Sequence, residues 1–154
     1  MPDIYKSFEN FARRSAERSV DEILDYCKPK GMPVYVENLP SNCRDPLFNR
    51  PEEFNIFLKN GAGMLLDTAH SMLSGINPTY FLERLGEGIK EIHLVDAISG
   101  KEDVHYPLCE GELDYIKFLN LAAERCPEAR IILEMKSEDD VIKSLDYLKE
   151  AGFI

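Results

Sequence analysis

GMLLDTAHSMLSG, residues 63–75, contains an apolar run that ends abruptly in an acidic residue. Met64-Leu65-Leu66 is followed directly by Asp67, and His70 comes three residues later. A short apolar run bounded by glycine is typical of a buried strand. Because a carboxylate is costly to bury, an acid at the end of such a strand requires a reason. The other predicted strands of this chain also end in charged residues, and this repetition supports the predictions that follow.

Helix and strand patterns alternate along the chain. Ser19 and Glu22 have the spacing of a capping box at the start of the first predicted helix. The alternation predicts βαβ units in an α/β fold, with four parallel strands that are each followed by a helix. We expect one domain over residues 1–154. The predicted strands are 34–39, 63–67, 89–96 and 129–135, and the predicted helices are 19–28, 49–61, 77–88, 113–126 and 137–152.

Every predicted strand ends in a residue type that binds metals. Right-handed crossovers place the carboxyl ends of parallel strands at one edge of the sheet, so these side chains are expected to converge there. Carboxylates with a histidine suit Mn, Mg, Zn or Fe. Taken singly, an acid such as Asp67 is an ordinary helix cap or turn residue, and His70 or His105 is an ordinary loop residue. The strand-end residues are Glu37, Asp67, His93 with Asp96, and Glu134.

The net charge of −10 weighs against tight binding to nucleic acid. Basic side chains in the loops at the carboxyl edge are limited to Arg44, Arg50 and Lys101. Bound cations would change the local field, so the charge alone does not exclude DNA. No segment is apolar enough to span a membrane or to act as a signal peptide, which predicts a cytoplasmic protein.

The four cysteines are scattered and form no CxxC pair, which favours reduced thiols over a disulfide framework or a zinc knuckle. They are Cys27, Cys43, Cys109 and Cys126. No glycine-rich phosphate loop is present, so no nucleotide cofactor is expected. The aromatic residues Tyr5, Phe8 and Phe11 are interpreted as packing residues of a helix or a subunit contact rather than as base-stacking residues.

Five segments together resemble the xylose isomerase-like TIM barrels, a superfamily of sugar isomerases, epimerases and endonuclease IV. The segments are VYVENLP, LLDTAHSMLSG, IKEIHLVD, DVHYPLCEGELDY and IILE, in this order, and the resemblance covers roughly residues 19–150. It implies one divalent metal, Mn, Mg or Zn, held by Glu37, Asp67, His93 and Glu134. The two glutamates would also be the catalytic acid and base that move a proton at a carbon atom of the sugar.

The same resemblance implies a second group of ligands. In endonuclease IV a multinuclear zinc centre also uses a histidine after the aspartate and an Asp-x-His pair in the next long loop. The matching positions here are His70, Asp103 and His105. Uncharacterised sugar-isomerase-like relatives also carry the Asp-x-His pair, so it does not decide for DNA. Where the family loop has leucine-glycine this chain has Leu108-Cys109, which places the loop shape in question if the position needs a positive φ.

The resemblance extends to half a barrel. A complete (β/α)₈ barrel takes about 250 residues, and the four strands here resemble strands five to eight. In endonuclease IV the other half supplies two further zinc-binding histidines. Four parallel strands cannot close, so we expect a homodimer, a partner chain that supplies the other half, or an open sheet with covered edges.

Three functions follow from these observations. The first is a metal-dependent sugar or sugar-phosphate isomerase or epimerase, which needs only ligands that are present. The second is a zinc phosphodiesterase of the endonuclease IV type that acts on abasic DNA. The third is a non-catalytic half-barrel that binds a partner or a small ligand. Metal content separates the third from the other two.

Overall fold

The computed structural model describes residues 2–40 and 47–154, with side chains from residue 7 onward. The predictions for Cys43, Arg44 and the Tyr5 side chain therefore lie outside the described residues. Six α-helices are present in the described part: α1 (Pro2–Cys27), α2 (Asn55–Asn60), α3 (Thr68–Leu73), α4 (Pro78–Leu85), α5 (Tyr115–Arg125) and α6 (Glu138–Glu150). Its strands are β1 (Tyr35–Glu37), β2 (Gly63–Asp67), β3 (Ile89–His93) and β4 (Arg130–Ile132).

The strands form one parallel sheet in the order β1-β2-β3-β4. This arrangement confirms the predicted α/β fold, half of a TIM barrel. Strands that are consecutive in the sequence are therefore also neighbours in the sheet. The pairing sets Asp67 beside His93 at the carboxyl edge of the sheet. Glu37 pairs with Leu65, two residues before Asp67, and His93 pairs with Ile132, two residues before Glu134, so the ends of the strands are staggered along this edge.

The hydrophobic core lies between the sheet and the helices. Strand residues such as Met64, Leu66 and Ile92 are fully buried on this face. Four phenylalanines pack edge to face or tilted against one another above β1 and β2, with ring centroids 5.0–6.3 Å apart. They are Phe48, Phe54, Phe57 and Phe81. All four rings belong to the hydrophobic core.

Several element boundaries differ from the sequence prediction. The predicted start of a helix at Ser19 is wrong, because α1 runs without a break from Pro2 to Cys27. Ala16, Val20 and Leu24 pack on the core and stabilise this helix through Ser19. Strand β3 ends at His93 rather than at residue 96. A short helix that was not predicted, α3, begins directly after Asp67.

Two further features concern the apolarity of the helices and the state of the cysteines. In residues 2–40 and 47–154 no helix has the length and apolarity needed to cross a bilayer. The described cysteines, Cys27, Cys109 and Cys126, are free thiols.

Candidate metal centre

Four strand-end side chains meet at the carboxyl edge of the sheet. Glu37, Asp67 and His93 are the last residues of β1, β2 and β3, and Glu134 follows β4 by two residues. Each offers one oxygen or nitrogen atom, and these four atoms lie within 4.8 Å of one another. The His93 Nδ1 atom is 2.6 Å from Glu134 Oε2 and 3.9 Å from Asp67 Oδ2. We refer to Glu37, Asp67, His93 and Glu134 as the strand-end quartet.

A second group shares Asp67 with the quartet. Asp67, His70 and His105 also offer atoms that lie within 4.8 Å of one another. The His70 and His105 rings are 5.7 Å apart between centroids. A carboxylate with one oxygen toward each group is suited to bridge two cations. The structure thus brings together six of the seven predicted ligands in two adjoining groups.

Asp103, the seventh predicted ligand, contacts both histidines from the opposite side. Its Oδ2 atom lies 3.2 Å from His70 Nε2, and its Oδ1 atom lies 3.2 Å from His105 Nε2. His105 adopts a left-handed backbone with φ 56° and its Nδ1 atom lies 3.0 Å from the Glu134 carbonyl oxygen. This unusual backbone conformation turns the ring of His105 back toward the sheet.

Asp67 has two structural roles at once. Its side chain is fully buried and accepts a 2.7 Å hydrogen bond from the His70 backbone N–H, which caps α3. Burial raises the pKa of Asp67 to about 6, although the neighbouring His70 acts in the opposite direction. The helix-cap interpretation and the metal-site interpretation are therefore compatible, because the cap uses only Oδ1.

Asn38 is a site residue that sequence reasoning missed. It is fully buried, its Nδ2 donates to the Asp67 carbonyl oxygen at 3.0 Å, and its Oδ1 accepts from the Asp67 N–H at 2.8 Å. Its own carbonyl oxygen lies 2.9 Å from His70 Nδ1. Asn38 therefore clamps the backbone of Asp67 and orients His70. An asparagine next to a strand-end glutamate carries no distinctive signal in one sequence.

Glu91 and Arg130 were also missed, and they lie below the quartet on the inner face of the sheet. Arg130 is 3.0 Å from the Glu91 carboxylate, and a Glu91 oxygen is 3.7 Å from His93 Nε2. Glu91 therefore lies beside Nε2 of the His93 ring, while Nδ1 of the same ring faces Glu134 of the quartet.

Asp96 does not join the cluster, although the sequence places it at the end of the same predicted strand as His93. Its buried carboxylate accepts backbone N–H bonds from Ala97, Gly111 and Leu113 at 2.8–2.9 Å. Its backbone forms an antiparallel bridge with Tyr106. Asp96 thus closes the long loop that carries Asp103 and His105.

Gly111→Ala is expected to destabilise the protein by about 2–3 kcal/mol. A Cβ atom at this position would lie 2.3 Å from Asp96 Oδ1 and 2.5 Å from the Ala97 carbonyl oxygen. Neither atom can retreat without breaking the loop closure. Urea unfolding measures the change, and Gly88→Ala is the matched control because its added Cβ meets only the end of the Leu58 side chain. Equal effects of the two substitutions would contradict this account.

Cys109 occupies the loop position where the sequence comparison raised a question. Its φ is 68°, so the loop keeps the left-handed conformation although glycine is absent. A non-glycine residue in this region costs roughly 1–2 kcal/mol. The closure by Asp96 at the next turn of the loop compensates this cost.

A protonated His70 supplies positive charge within an otherwise acidic cluster. Burial disfavours the protonated ring, but nearby carboxylates outweigh burial and raise the pKa of His70 to about 9. The contact that raises this pKa most is with Glu37, whose Oε1 lies 3.2 Å from His70 Nδ1, the same distance as Asp103 Oδ2 from His70 Nε2. The same contact is the main cause that lowers the pKa of Glu37, which is therefore anionic at neutral pH. Without a cation, a protonated His70 offsets part of the negative charge.

We expect metal-free protein to lose stability as the pH rises from 6.5 through 9. The pKa of His70 is raised in the folded state, so its contribution is fully present below pH 6.5 and disappears above pH 9. The loss is on the order of 2–3 kcal/mol. Urea unfolding of chelator-treated protein at several pH values measures it, with His70→Gln as the comparison. If both proteins show the same pH dependence, His70 is not the responsible group.

Three buried atoms in the described part of the cluster have no partner in hydrogen-bonding geometry: Asp67 Oδ2, His93 Nδ1 and Asp103 Oδ1. Two of them still have a polar neighbour, since Glu134 Oε2 is 2.6 Å from His93 Nδ1 and His105 Nε2 is 3.2 Å from Asp103 Oδ1, so Asp67 Oδ2 is the clearest case. Unsatisfied buried polar atoms are rare and costly. All three belong to residue types that bind divalent metals, and oxygen-rich sites with one or two imidazoles suit Mn, Mg or Zn. The residues present therefore fit a divalent cation.

Comparisons with known proteins agree with this fold. Residues 3–151 match the protein family described as xylose isomerase-like TIM barrel. An uncharacterized protein from Methanocaldococcus jannaschii is 28% identical over 157 residues, covering 97% of this chain and 53% of that relative. The crystal structure of a D-tagatose 3-epimerase-like protein aligns with a TM-score of 0.83 at 27% identity, covering 98% of this chain and 58% of the other.

Two more distant crystal structures share the fold. One is AP endonuclease, family 2 from Brucella melitensis, with a TM-score of 0.71 at 15% identity over 92% of this chain and 55% of that chain. The other is 3-keto-D-glucoside 4-epimerase, YcjR, from E. coli, with a TM-score of 0.70 at 17% identity over 95% and 55%. The chain spans about half the length of the proteins that it matches.

Proposed function

The chain belongs to the xylose isomerase-like TIM barrel family, and on this premise we propose a metal-dependent isomerase or epimerase of sugars or sugar phosphates. The observation that carries the proposal is the strand-end quartet, in which the buried Asp67 Oδ2 atom makes no hydrogen bond. The resemblance to a D-tagatose 3-epimerase-like protein, at 27% identity, supports this substrate class. The cysteine pattern supports a cytoplasmic location.

The proposed ligands of the first metal are Glu37, Asp67, His93 and Glu134. A bound Mn, Mg or Zn ion supplies a Lewis acid that polarises a carbonyl and the neighbouring hydroxyl of the substrate. Asp67 is held in place by Asn38 and by its cap contact to α3. This support keeps the central ligand fixed whether or not substrate is bound.

Glu37 and Glu134 are the proposed catalytic acid and base. They lie on β1 and just after β4, the two outer strands of the sheet, so they approach the centre from opposite sides. Their side chains are 36% and 46% exposed, which leaves them open to a ligand. Glu37 is ionised at neutral pH, which is the protonation state of a general base, while the His70 contact that lowers its pKa also lowers its basicity.

A second function, a zinc phosphodiesterase acting on abasic DNA, is favoured by one observation. The group of Asp67, His70 and His105, with Asp103 behind it, supports a second cation beside the first. Paired cations stabilise the attacking and leaving oxygens in phosphodiester hydrolysis. The net charge of −10 weighs against this alternative because DNA requires basic surface.

The active assembly is proposed to need a second half-barrel. We treat residues 1–154 as one half-barrel domain that corresponds to strands five to eight. The relatives are about twice as long as this chain, which matches about half of each. Either a second copy of the chain or a partner chain supplies the other half.

The test combines metal content with proton exchange. Protein purified without chelators is analysed for bound metal, and NMR then follows deuterium uptake from D₂O into a panel of ketoses and ketose phosphates. About one metal per chain with exchange into a sugar supports the isomerase. Two or three zinc ions with nicking of an abasic oligonucleotide support the phosphodiesterase. No binding of added Mn or Zn overturns both and leaves a non-catalytic half-barrel.

A further inference from the structure

Two fully buried polar side chains, Asn38 and Thr68, connect the ends of neighbouring strands at the carboxyl edge of the sheet. Asn38 Nδ2 donates to the Asp67 carbonyl oxygen at 3.0 Å, and its Oδ1 accepts from the Asp67 N–H at 2.8 Å. The Thr68 hydroxyl donates to the Val95 carbonyl oxygen at 2.6 Å and accepts from the Val95 N–H at 3.0 Å. Each side chain thus bonds both backbone groups of one residue in the next segment. We call these two pairs of bonds the Asn38 rung and the Thr68 rung.

Both rungs lie where the backbone pairing between strands has ended. The last paired residue of β1 is Glu37, and the N–H of Leu39 already bonds to the Phe48 carbonyl oxygen outside the sheet. After β2 the chain enters α3 at Thr68. The backbones of β1 and β2 therefore leave the sheet at these points. Buried backbone groups left without a partner are costly, so the Asn38 and Thr68 side chains replace the bonds that the departing strands would have made.

The rungs join the segments that carry three of the four quartet ligands. Glu37 directly precedes Asn38, and the backbone that the Asn38 rung holds is that of Asp67. The Thr68 rung holds the segment that follows β3, and the His93 carbonyl oxygen lies 3.1 Å from the same hydroxyl. The two rungs therefore set the spacing between the ends of β1, β2 and β3. Such spacing matters because the ligands of a site must be held to within about 0.5 Å of their productive geometry.

We propose that Asn38 and Thr68 are positioning residues of the metal centre, whose rungs hold Glu37, Asp67 and His93 at the spacing that one cation requires. Neither side chain is a proposed ligand, and each acts through the backbone of a ligand or of the segment beside it. The inference deepens the proposed function and rests on it, because it requires a metal at the strand-end quartet. It also implies coupling in both directions, since a rung that favours metal binding is favoured by bound metal to the same degree.

Metal affinity, measured beside stability, tests the proposal. In isothermal titration of the intact chain with Mn and Zn, Thr68→Val and Asn38→Leu are each expected to raise the dissociation constant about 10–100-fold. Both substitutions keep the approximate size of the side chain and remove its hydrogen bonds. Thr68→Ser keeps the hydroxyl and is expected to restore the affinity. Urea unfolding of the same samples shows how much stability each variant loses.

Ser144→Ala is the matched control for loss of a buried hydroxyl. Ser144 is also fully buried, and its hydroxyl donates to the Asp140 carbonyl oxygen at 2.9 Å and accepts from the Leu108 N–H at 3.1 Å. It joins α6 to a loop and does not join one strand end to another. This variant is expected to lose stability as Thr68→Val does, because a buried N–H loses its partner in both. Its metal affinity is expected to stay within about twofold of the wild-type value, since no quartet ligand moves.

Amide hydrogen exchange of the wild-type protein supplies a test that needs no variant to fold. The coupling is reciprocal, so bound metal should hold each rung closed by the factor that loss of the rung costs in affinity. Saturating Zn is therefore expected to slow exchange of the Asp67 and Val95 N–H groups about 10–100-fold more than exchange of the Leu108 N–H, which Ser144 holds. NMR measures all three rates in one sample.

The outcomes separate this inference from the proposed function. Three results would each overturn the inference alone: a loss of affinity no larger than that of Ser144→Ala, no recovery in Thr68→Ser, or equal slowing at the three amides. In each of these cases the wild-type protein still binds metal, so the proposed function stands. Wild-type protein that binds neither Mn nor Zn overturns both.

Discussion

Asp67→Asn is expected to lower the affinity for divalent metal by more than about 100-fold, because one substitution removes a ligand from both groups. The fold is expected to survive, since asparagine is as good a helix cap as aspartate. Its amide oxygen can still accept from the His70 N–H that closes the first turn of α3. Loss of metal binding therefore reports on the cluster and not on unfolding.

The same substitution is expected to stabilise metal-free protein above pH 6 by on the order of 2 kcal/mol. Burial raises the pKa of Asp67 to about 6, so its neutral form favours folding. This contribution is fully present below pH 3.8 and is lost as the pH rises through 6. Above pH 6 the wild-type protein buries an ionised carboxylate, which is unfavourable, whereas the asparagine amide is neutral at every pH.

Isothermal titration with Mn and Zn, and urea unfolding with and without metal, measure both effects. Wild-type protein should gain about 2.7 kcal/mol of stability at a metal concentration 100 times its dissociation constant, and the variant should gain less than about 0.4 kcal/mol at the same concentration. Glu124→Gln, an exposed change on α5, is the control. Unchanged metal affinity in Asp67→Asn would falsify the assignment of Asp67 as the shared ligand.

Glu134→Gln is expected to reduce the rate of proton exchange into the substrate by about 10²–10⁴-fold at saturating metal. Glutamine keeps the size of the side chain and one oxygen for a metal but cannot carry the proton. Glu134 is 46% exposed and its carboxylate packs against His93, so little change in stability is expected. NMR of deuterium uptake from D₂O measures the rate.

Glu37→Gln separates the two proposed proton carriers. It should reduce exchange by a similar factor, and it should also lower the pKa of His70, because Glu37 is the leading partner that raises this pKa. Glu134→Gln should leave the His70 titration nearly unchanged. Glu102→Gln, an exposed change in the neighbouring loop, is the control. If neither glutamine variant slows exchange more than this control, the acid–base assignment is wrong.

The strand-end quartet was predictable because it depends on a rule that operates along the chain. Parallel strands joined by right-handed helical crossovers have one common carboxyl edge, so residues that end separate strands meet there. The apolar runs before Glu37, Asp67 and His93 located the strand ends closely enough to identify which residues lie at that edge. An error of a few residues in a boundary, as for β3, did not change which residues reached the edge.

The residues that support the quartet were not predictable in the same way. Asn38, Glu91 and Arg130 act through hydrogen bonds and ion pairs between strands that are distant in sequence. Asp96 looked like a further ligand because it follows the same apolar run as His93. Its partners lie up to 17 residues away in the loop, and only the folded loop presents their N–H groups to it.

The sequence by itself therefore determined the order of the strands, the edge at which their acidic ends meet and the residue types that suit a divalent cation. These features follow from periodicity and chain connectivity, which are local. The tertiary structure decided that Asp67 serves two groups at once and that Asp96 closes a loop instead of joining them. Those outcomes depend on which side chains approach within a few ångströms, and this is set by packing between segments far apart in the chain.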